Sequence, residues 1–294
     1  MQPGTVRTFA IILALAVGAL CPWAAVASPG IPATVAAMLF IVFLGTPARN
    51  ARLSIVHGRL LLANIAIAGA AYATGRLLGD KDVALAGFFA GIAPTAAAAP
   101  VVVGLLGGDV AFVVAAFLVS NLCIAGLLAL VLPPLLGLTA GIEILGIARS
   151  IGLVVFAPML AAALLRRIHP ASHTWPRRLG NVSFSLWVLT LFLITAKASH
   201  YLRHETAGAD GAVWSIAGLT ALVCGCSFAV GHWLGGPVHR REASQSLGQK
   251  NTTFTIYLAL AHASPLVALG PTCYVLWHNL WNAWNLHRTR PRGQ

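Results

Sequence analysis

Charged side chains are scarce in this chain, and acidic ones are the scarcest. Only 9% of its 294 residues are charged and 58% are hydrophobic, whereas soluble domains use roughly 25% charged residues. The seven Asp and Glu residues all fall in predicted loops or at the ends of apolar segments. The sequence therefore predicts a polytopic membrane protein without a carboxylate pair for acid–base catalysis or metal binding, and we do not expect an enzyme.

Cysteine pairs with metal or redox spacing are also lacking. The five cysteines are scattered through apolar segments without a C-x-x-C motif, so we interpret them as small packing residues: Cys21, Cys123, Cys224, Cys226 and Cys273. Neither a cofactor nor a metal centre is predicted.

Long apolar runs recur along the whole chain. A helix needs about 20 apolar residues to cross a hydrocarbon core of ~30 Å. Ten segments approach this length: 8–27, 31–46, 58–77, 83–106, 109–136, 144–166, 181–200, 212–235, 243–267 and 270–287. The sequence thus predicts an all-α membrane protein with ten transmembrane helices.

Basic residues are distributed unequally across these segments. Thirteen fall on one side: Arg7, Arg49, Arg52, Arg59, Arg166, Arg167, Arg177, Arg178, Arg240, Arg241, Arg288, Arg290 and Arg292. Only Arg76, Lys81 and Arg203 fall on the other. This bias predicts cytoplasmic termini in a bacterial inner membrane, and it explains the basic composition better than nucleic-acid binding does. An alternative is that residues 1–28 are a cleaved signal, because Ala25-Val26-Ala27 precedes Ser28.

Ten crossings divide into two sets of five, residues 1–140 and 141–294. Five is an odd number, so the two halves must have opposite orientation, as in the inverted repeats of many secondary transporters. The fourth segment of each half is interrupted, by Gly91, Pro94 and Pro100 in the first half and by the polar run 246–253 in the second. Interruptions at equivalent positions predict a substrate site between them, although simple kinks packed against neighbouring helices are the alternative for either one.

Lys250 lies within the second interruption, in Gly248-Gln249-Lys250-Asn251. An ammonium near the bilayer midplane costs about 2.5–3.5 kcal/mol on insertion scales, so its presence indicates a function. The alternative is a lysine at a helix end whose side chain extends to the interface.

Several motifs resemble the bile acid:sodium symporter family. In the second half these are Gly248 with Asn251, Ser264-Pro265-Leu266 and Trp277-His278-Asn279-Leu280. In the first half, Ala93-Pro94 is followed by Gly108-Asp109-Val110-Ala111. The resemblance implies two inverted five-helix repeats, interleaved panel and core domains, crossing broken helices 4 and 9, and uptake of organic anions driven by two sodium ions.

The sodium ligands of the family do not carry over to this chain. The family has a Ser-Asn pair in its fourth helix, and the corresponding residues here are Ala99 and Pro100 of segment 83–106. Two hydroxyl ligands of the family's fifth helix correspond to Val113 and Phe117. In the family's ninth helix, a glutamate corresponds to Ser246 and a glutamine to Lys250. Hard cations require a shell of oxygen donors, so the resemblance predicts that both sodium sites are lost.

The lysine suggests a replacement for the lost ion. We hypothesise that the Lys250 ammonium takes the place of a sodium ion and supplies its charge to the helix crossing. Burial disfavours the charged form of an amine, so protons are a further candidate coupling partner. An anion would meet the amino-terminal ends of the half-helices, with candidate substrate-binding residues near the breaks and beyond: Thr95, Gln249, Asn251, Thr252, His262 and Asn279.

The sequence therefore predicts a sodium-independent secondary transporter of small organic anions embedded in the lipid bilayer. Two alternatives stay open. One is a sodium-coupled symporter that uses other ligands, and the other is a receptor or sensor that keeps the fold without transporting. No nucleic-acid partner is expected, and the sequence predicts no oligomeric state.

Overall fold

The computed structural model describes residues 3–45, 53–78, 80–138, 141–204 and 210–288, and these residues are almost entirely helical. The helices are α1 (Pro3–Leu20), α2 (Ile31–Gly45), α3 (Ile55–Leu77), α4 (Lys81–Ile92), α5 (Ala99–Leu105), α6 (Val110–Leu136), α7 (Gly141–Ile151), α8 (Ala157–Ile168), α9 (Trp175–His204), α10 (Asp210–Leu234), α11 (Gly236–Gly248), α12 (Thr252–His262) and α13 (Pro265–Arg288). A 3₁₀ segment (Pro22–Gly30) leads into α2, a π-helical turn (Gly152–Phe156) joins α7 to α8, and a second 3₁₀ segment (Pro170–Thr174) precedes α9.

Within the described residues, six helical stretches are long and apolar enough to cross a membrane: Pro22–Gly45, Ile55–Leu77, Val110–Leu136, Ile144–Ile168, Arg178–Tyr201 and Gly211–Leu234. The all-α membrane class predicted from composition is therefore confirmed. The interrupted segments are not among the six, because each of them is divided into two shorter helices.

Aspartates at loop–helix junctions begin two of the helices. Asp80 accepts hydrogen bonds from the backbone N–H groups of Asp82 (2.7 Å) and Val83 (3.1 Å) at the start of α4. Asp109 accepts them from Ala111 (2.9 Å) and Phe112 (3.3 Å) at the start of α6. Both satisfy backbone donors that lack partners at a helix N-terminus.

The helices pack in two groups. In the first, α9 packs along α1 and α2, and α8 packs on α2. In the second, α4 contacts α3, α10 and α13, while α11 packs on α10 and α12 on α13. Gly270 shows how closely α13 approaches α4, because a Cβ atom there would lie 2.2 Å from the carbonyl oxygen of Ala86.

Helix boundaries near the second interruption differ from the predicted segment 243–267. The helical pair covers Gly236–Gly248 and Thr252–His262, and α13 already begins at Pro265. The difference arises because α11 starts in a polar stretch, containing His239 and Arg241, that hydropathy excludes from a membrane segment. Four arginines used to predict orientation, Arg49, Arg52, Arg290 and Arg292, lie outside the described residues.

Candidate functional site

The two interruptions lie against each other, and we call this contact between the two breaks the crossing. Residues 93–98 separate α4 from α5, and residues 249–251 separate α11 from α12. Thr95 and Lys250 pair as in an antiparallel sheet. The N–H of Ala96 donates to the Gln249 carbonyl (2.8 Å), and the N–H of Asn251 donates to the Pro94 carbonyl (2.6 Å). Each break thus supplies partners for backbone groups that the other break has freed, as unwound backbone at membrane depth requires.

Local sequence explains where both helices stop. The ring of Pro94 disfavours helical geometry at the preceding residue, and Ala93 adopts φ −50° and ψ 133°. In the second break, Gln249 is extended (φ −91°, ψ 103°) directly after Gly248. A Cβ atom at Gly248 would lie 2.3 Å from the ring of Phe228, so only glycine allows α11 to end so close to α10.

Lys250 is buried at this crossing, with 2% of its surface exposed. Its Nζ donates to the Asn64 Oδ1 atom, to the Gly91 carbonyl (2.7 Å) and to the Ala93 carbonyl (3.3 Å). An ammonium has three N–H donors and no acceptor. Three oxygens therefore match its full donor capacity, and the side chain points into the crossing.

The electrostatic environment of Lys250 suits a positive charge. Gly91 and Ala93 are at the carboxyl end of α4, where carbonyl groups lack helical partners and the helix dipole is negative. The third acceptor is a neutral amide oxygen, that of Asn64. Backbone carbonyls and this amide thus stabilise the buried ammonium with partial charges.

Asn64 was not identified from the sequence. It is a buried residue of α3 whose Nδ2 donates to the carbonyls of Ile92 (3.0 Å) and Ala93 (3.3 Å) while its Oδ1 accepts from Lys250. One amide thus holds both the end of α4 and the lysine. The signal available in the sequence was an isolated asparagine in an apolar segment, which hydropathy averaging obscures.

Thr95 is the centre of a second set of bonds at the crossing. Its Oγ1 donates to the Ser246 carbonyl (2.6 Å), and its N–H donates to the Ser120 Oγ (3.0 Å). Asn121 donates from Nδ2 to the Thr95 carbonyl (2.9 Å) and accepts from the Asn251 Nδ2 (3.3 Å). Asn121 therefore joins the predicted residues Thr95 and Asn251. The sequence analysis missed both α6 residues, Ser120 and Asn121.

Gln249 and Thr252, two other predicted substrate-binding residues, flank Asn251 and are buried. The Gln249 Oε1 has no hydrogen-bond partner among the described residues. Thr252 begins α12. These positions place an amide oxygen and a helix N-terminus beside the crossing.

His262 and Asn279 lie elsewhere in the structure. His262 is at the other end of α12, ten residues from Thr252, or about 15 Å along the helix. Its Nε2 is 3.0 Å from the Ser150 Oγ on α7. Asn279 donates to the Val275 carbonyl one turn earlier in α13 (2.7 Å). Neither has a hydrogen bond to the residues of the crossing in the described part of the chain.

The positions at which the resemblance predicts sodium ligands are mostly apolar and buried. Ala99, Val113 and Phe117 are fully buried, and their side chains have no oxygen. Pro100 is half-buried in the first turn of α5. Ser246 is 3% exposed, and its Oγ has no hydrogen-bond partner among the described residues. This donor set does not fit two sodium ions, and the ammonium of Lys250 takes the oxygens at the crossing.

A small cavity of about 20 Å³ borders the crossing. Its walls come from α3, α6, α11 and the first break, and comprise His57, Leu60, Leu61, Asn64, Thr95, Ala116, Val119, Ser120, Ser246 and Leu247. Since ligand pockets for organic molecules measure ~300–1,000 Å³, this cavity is too small for an organic anion.

One comparison identifies the family. The model of the Sodium Bile acid symporter family matches residues 62–205, from within α3, through the first break and α6, to the end of α9. The match covers about half of the chain, and the motifs around Lys250 lie outside it. A search of curated proteins found no match. The family match confirms the resemblance seen in the sequence over just under half of the chain, and it indicates a membrane transporter.

Proposed function

We propose that this protein is a secondary transporter of small organic anions in which Lys250 replaces the coupling cation. One observation carries the proposal. The buried ammonium donates to three oxygens at the crossing of two interrupted helices. Amide and carbonyl oxygens are the ligands that a hard cation would otherwise use, so the side chain supplies both the charge and the bonds of such an ion.

The proposed architecture has ten transmembrane helices in two inverted repeats, residues 1–140 and 141–294. The two helix breaks support it, because they interrupt the fourth membrane segment of each half when α7 and α8 are counted as one segment. We assign the first packing group together with α7 to a panel (α1, α2, α7, α8 and α9), and the second together with α5 and α6 to a core (α3–α6 and α10–α13). We further propose a bacterial inner-membrane location with both termini in the cytoplasm, from the bias in basic residues.

The substrate is proposed to be an anion held beside the crossing. The N-terminus of α12 favours negative charge, and Lys250 adds to that field. The unpartnered Oε1 of Gln249 is suited to accept from a hydroxyl group of the substrate, with Thr95, Asn251 and Thr252 as neighbours. His262 and Asn279 are candidate contacts only for a larger substrate. Because the cavity is small, the helices around the crossing must move for a substrate to enter.

The number of N–H groups on the Lys250 amine gives a reason for proton coupling. The charged amine satisfies all three oxygens, whereas a neutral amine has only two N–H groups. Deprotonation would therefore remove one of the three hydrogen bonds, and a hydrogen bond to a charged group is worth about 1.5–3 kcal/mol. A change of that size at the helix crossing is large enough to alter the balance between two conformations of a transporter.

Uptake into proteoliposomes tests this function. Purified protein is reconstituted, and counterflow is measured for three labelled probes: a small 2-keto acid, a hydroxy acid and a steroid carboxylate. We expect counterflow of at least one probe that is unaffected by replacing sodium with choline, and accumulation when a pH gradient is imposed. Dependence on sodium would favour a sodium-coupled symporter instead. Absence of counterflow for all probes would favour a receptor or sensor and contradict the proposal.

Lys250→Ala is the matched variant for the same assay. If the lysine supplies the charge needed for turnover, the variant loses pH-driven accumulation, while Lys197→Ala on α9 retains it. Retained accumulation in Lys250→Ala would contradict the assigned role of the lysine.

A further inference from the structure

The cavity beside the crossing contains polar groups suited to a water molecule. A buried water needs about 10–15 Å³ and two to four polar partners, and this cavity measures about 20 Å³. Ser246 lines it and is 3% exposed, yet its Oγ has no hydrogen-bond partner among the described residues. The polar residues Asn64, Thr95 and Ser120 also line the wall, which is otherwise mainly apolar. The unpartnered Ser246 hydroxyl is the group that an occupant of water size would bind.

His57 lines the same cavity from two turns earlier in α3. It lies seven residues from Asn64, or about 10 Å along the helix. Asn64 in turn accepts from the Lys250 ammonium. The cavity therefore joins a histidine to the direct partner of the buried lysine.

Both ring nitrogens of His57 have hydrogen-bond partners. In the neutral ring, Nδ1 accepts from the N–H of Ser54 (2.9 Å), and it lies 3.1 Å from the Ser54 carbonyl, to which it can donate once protonated. Nε2 then holds the proton and donates to the Phe112 carbonyl (3.0 Å). Nδ1 faces Ser54, an exposed residue that precedes the first turn of α3, while the ring itself is buried. One nitrogen is thus near the surface and the other is inside the protein.

We propose that His57 and a water in this cavity form a proton route between Lys250 and the side of the membrane on which α3 begins. This route rests on the proposed proton-coupled function. A proton binds at Nδ1, the Nε2 proton passes to the cavity water, and that water gives one of its protons to the neutral amine of Lys250. Release follows the same steps in reverse. Asn64 separates the water from the amine, so its side chain must turn aside for the last transfer.

Several charged or titratable groups surround His57. The ring of Phe112 lies between His57 (4.3 Å between centroids) and His239 of α11 (4.5 Å). Asp109 is engaged with the first turn of α6, and Glu242 accepts from the Asp109 N–H. The other basic groups nearby in sequence on the packed elements are Arg59, Arg240 and Arg241. His239 is absent from the cavity wall, which makes it a matched control.

Exchange of the lysine protons with water tests the route without any organic substrate. The chain has three lysines, Lys81, Lys197 and Lys250. Protein labelled with [ε-¹⁵N]lysine in lipid nanodiscs thus gives few signals, and Lys81→Arg and Lys197→Arg assign them. The measured quantity is the rate at which Nζ protons exchange with solvent. Two variants test the route: His57→Gln removes the relay, and Ala116→Val fills the cavity.

We expect both variants to slow exchange at Lys250 by about tenfold, a rate effect of about 1.4 kcal/mol, and to leave Lys81 and Lys197 unchanged. His239→Gln and Ala129→Val, the same changes outside the cavity wall, should leave exchange at Lys250 unchanged. Exchange at the wild-type rate in both His57→Gln and Ala116→Val would overturn the route. The proton-exchange measurement tests the route alone. The counterflow assay tests transport, and absence of counterflow in the wild-type protein would contradict the proposed function.

Discussion

The Lys250 ammonium donates to the Asn64 Oδ1 atom across the crossing of the two interrupted helices. The same asparagine donates from Nδ2 to the carbonyls of Ile92 and Ala93, which end the first half of the broken helix. A single amide group therefore joins α3, the first break and the lysine of the second break. Substitutions of Lys250 or Asn64 should therefore have different effects on the crossing according to the charge that they add or remove.

Lys250→Gln should create a response to sodium. The substitution removes the ammonium and adds an amide oxygen near the Asn64 Oδ1 and the Gly91 and Ala93 carbonyls, a set of oxygens suited to a hard cation. At sodium tenfold above its Kd, binding would stabilise the variant by about 1.4 kcal/mol. Thermal unfolding in sodium chloride and in choline chloride measures the effect.

The matched control for this change is Lys250→Met, which removes the charge without adding an oxygen. We expect no difference between sodium and choline for the control or for the wild-type protein. Stabilisation of the wild-type protein by sodium would contradict the replacement of the ion by lysine.

Asn64→Asp should weaken proton-driven accumulation of substrate while substrate counterflow continues. A carboxylate beside the ammonium favours the charged amine, so the lysine would stay protonated through the cycle. Counterflow needs no net proton movement and should continue, whereas accumulation driven by a pH gradient should fall by about tenfold, equivalent to 1.4 kcal/mol. Both are measured in the same proteoliposomes.

Asn64→Ser is the neutral counterpart, since it removes the amide without adding charge. It should lower thermal stability yet retain accumulation driven by a pH gradient. If the aspartate variant accumulates substrate as well as the serine variant does, the lysine does not need to lose its proton.

Tyr274→Phe should destabilise the second break. The fully buried hydroxyl of Tyr274 donates to the carbonyl of Gly248 (2.7 Å), the last residue of α11. Its loss leaves a buried carbonyl without a partner, at a cost of about 1–3 kcal/mol. Thermal unfolding in detergent should show this loss. The same substitution at Tyr257, a half-buried residue of α12, provides the comparison, and equal effects at both positions would argue against a special role for Tyr274.

Much of the crossing could be predicted from local sequence, because proline, glycine and a lone lysine have strong local effects. Pro94 and Gly248 mark the two breaks, and Asp109 marks the start of α6. The partners of Lys250 could not be predicted in the same way. Asn64 lies 186 residues away from it, and Ser120 and Asn121 appear in the sequence as isolated polar residues of an apolar helix. Only the packing of α3 and α6 against the breaks brings them to the site.

Glu242 provides a test of how the connection between α5 and α6 is held to α11. Its buried Oε1 accepts from the N–H of Asp109 (2.8 Å), and the adjacent Arg241 donates to the Leu106 carbonyl (3.1 Å). Both contacts fix the connection between α5 and α6. Glu242→Ala removes the acceptor and leaves a helix N-terminus with an unpaired donor, which should cost about 1–3 kcal/mol. Glu242→Gln keeps an oxygen acceptor and should lose much less stability. Thermal unfolding of the two variants measures the difference, and equal losses would mean that the negative charge, rather than the hydrogen bond, holds the connection in place.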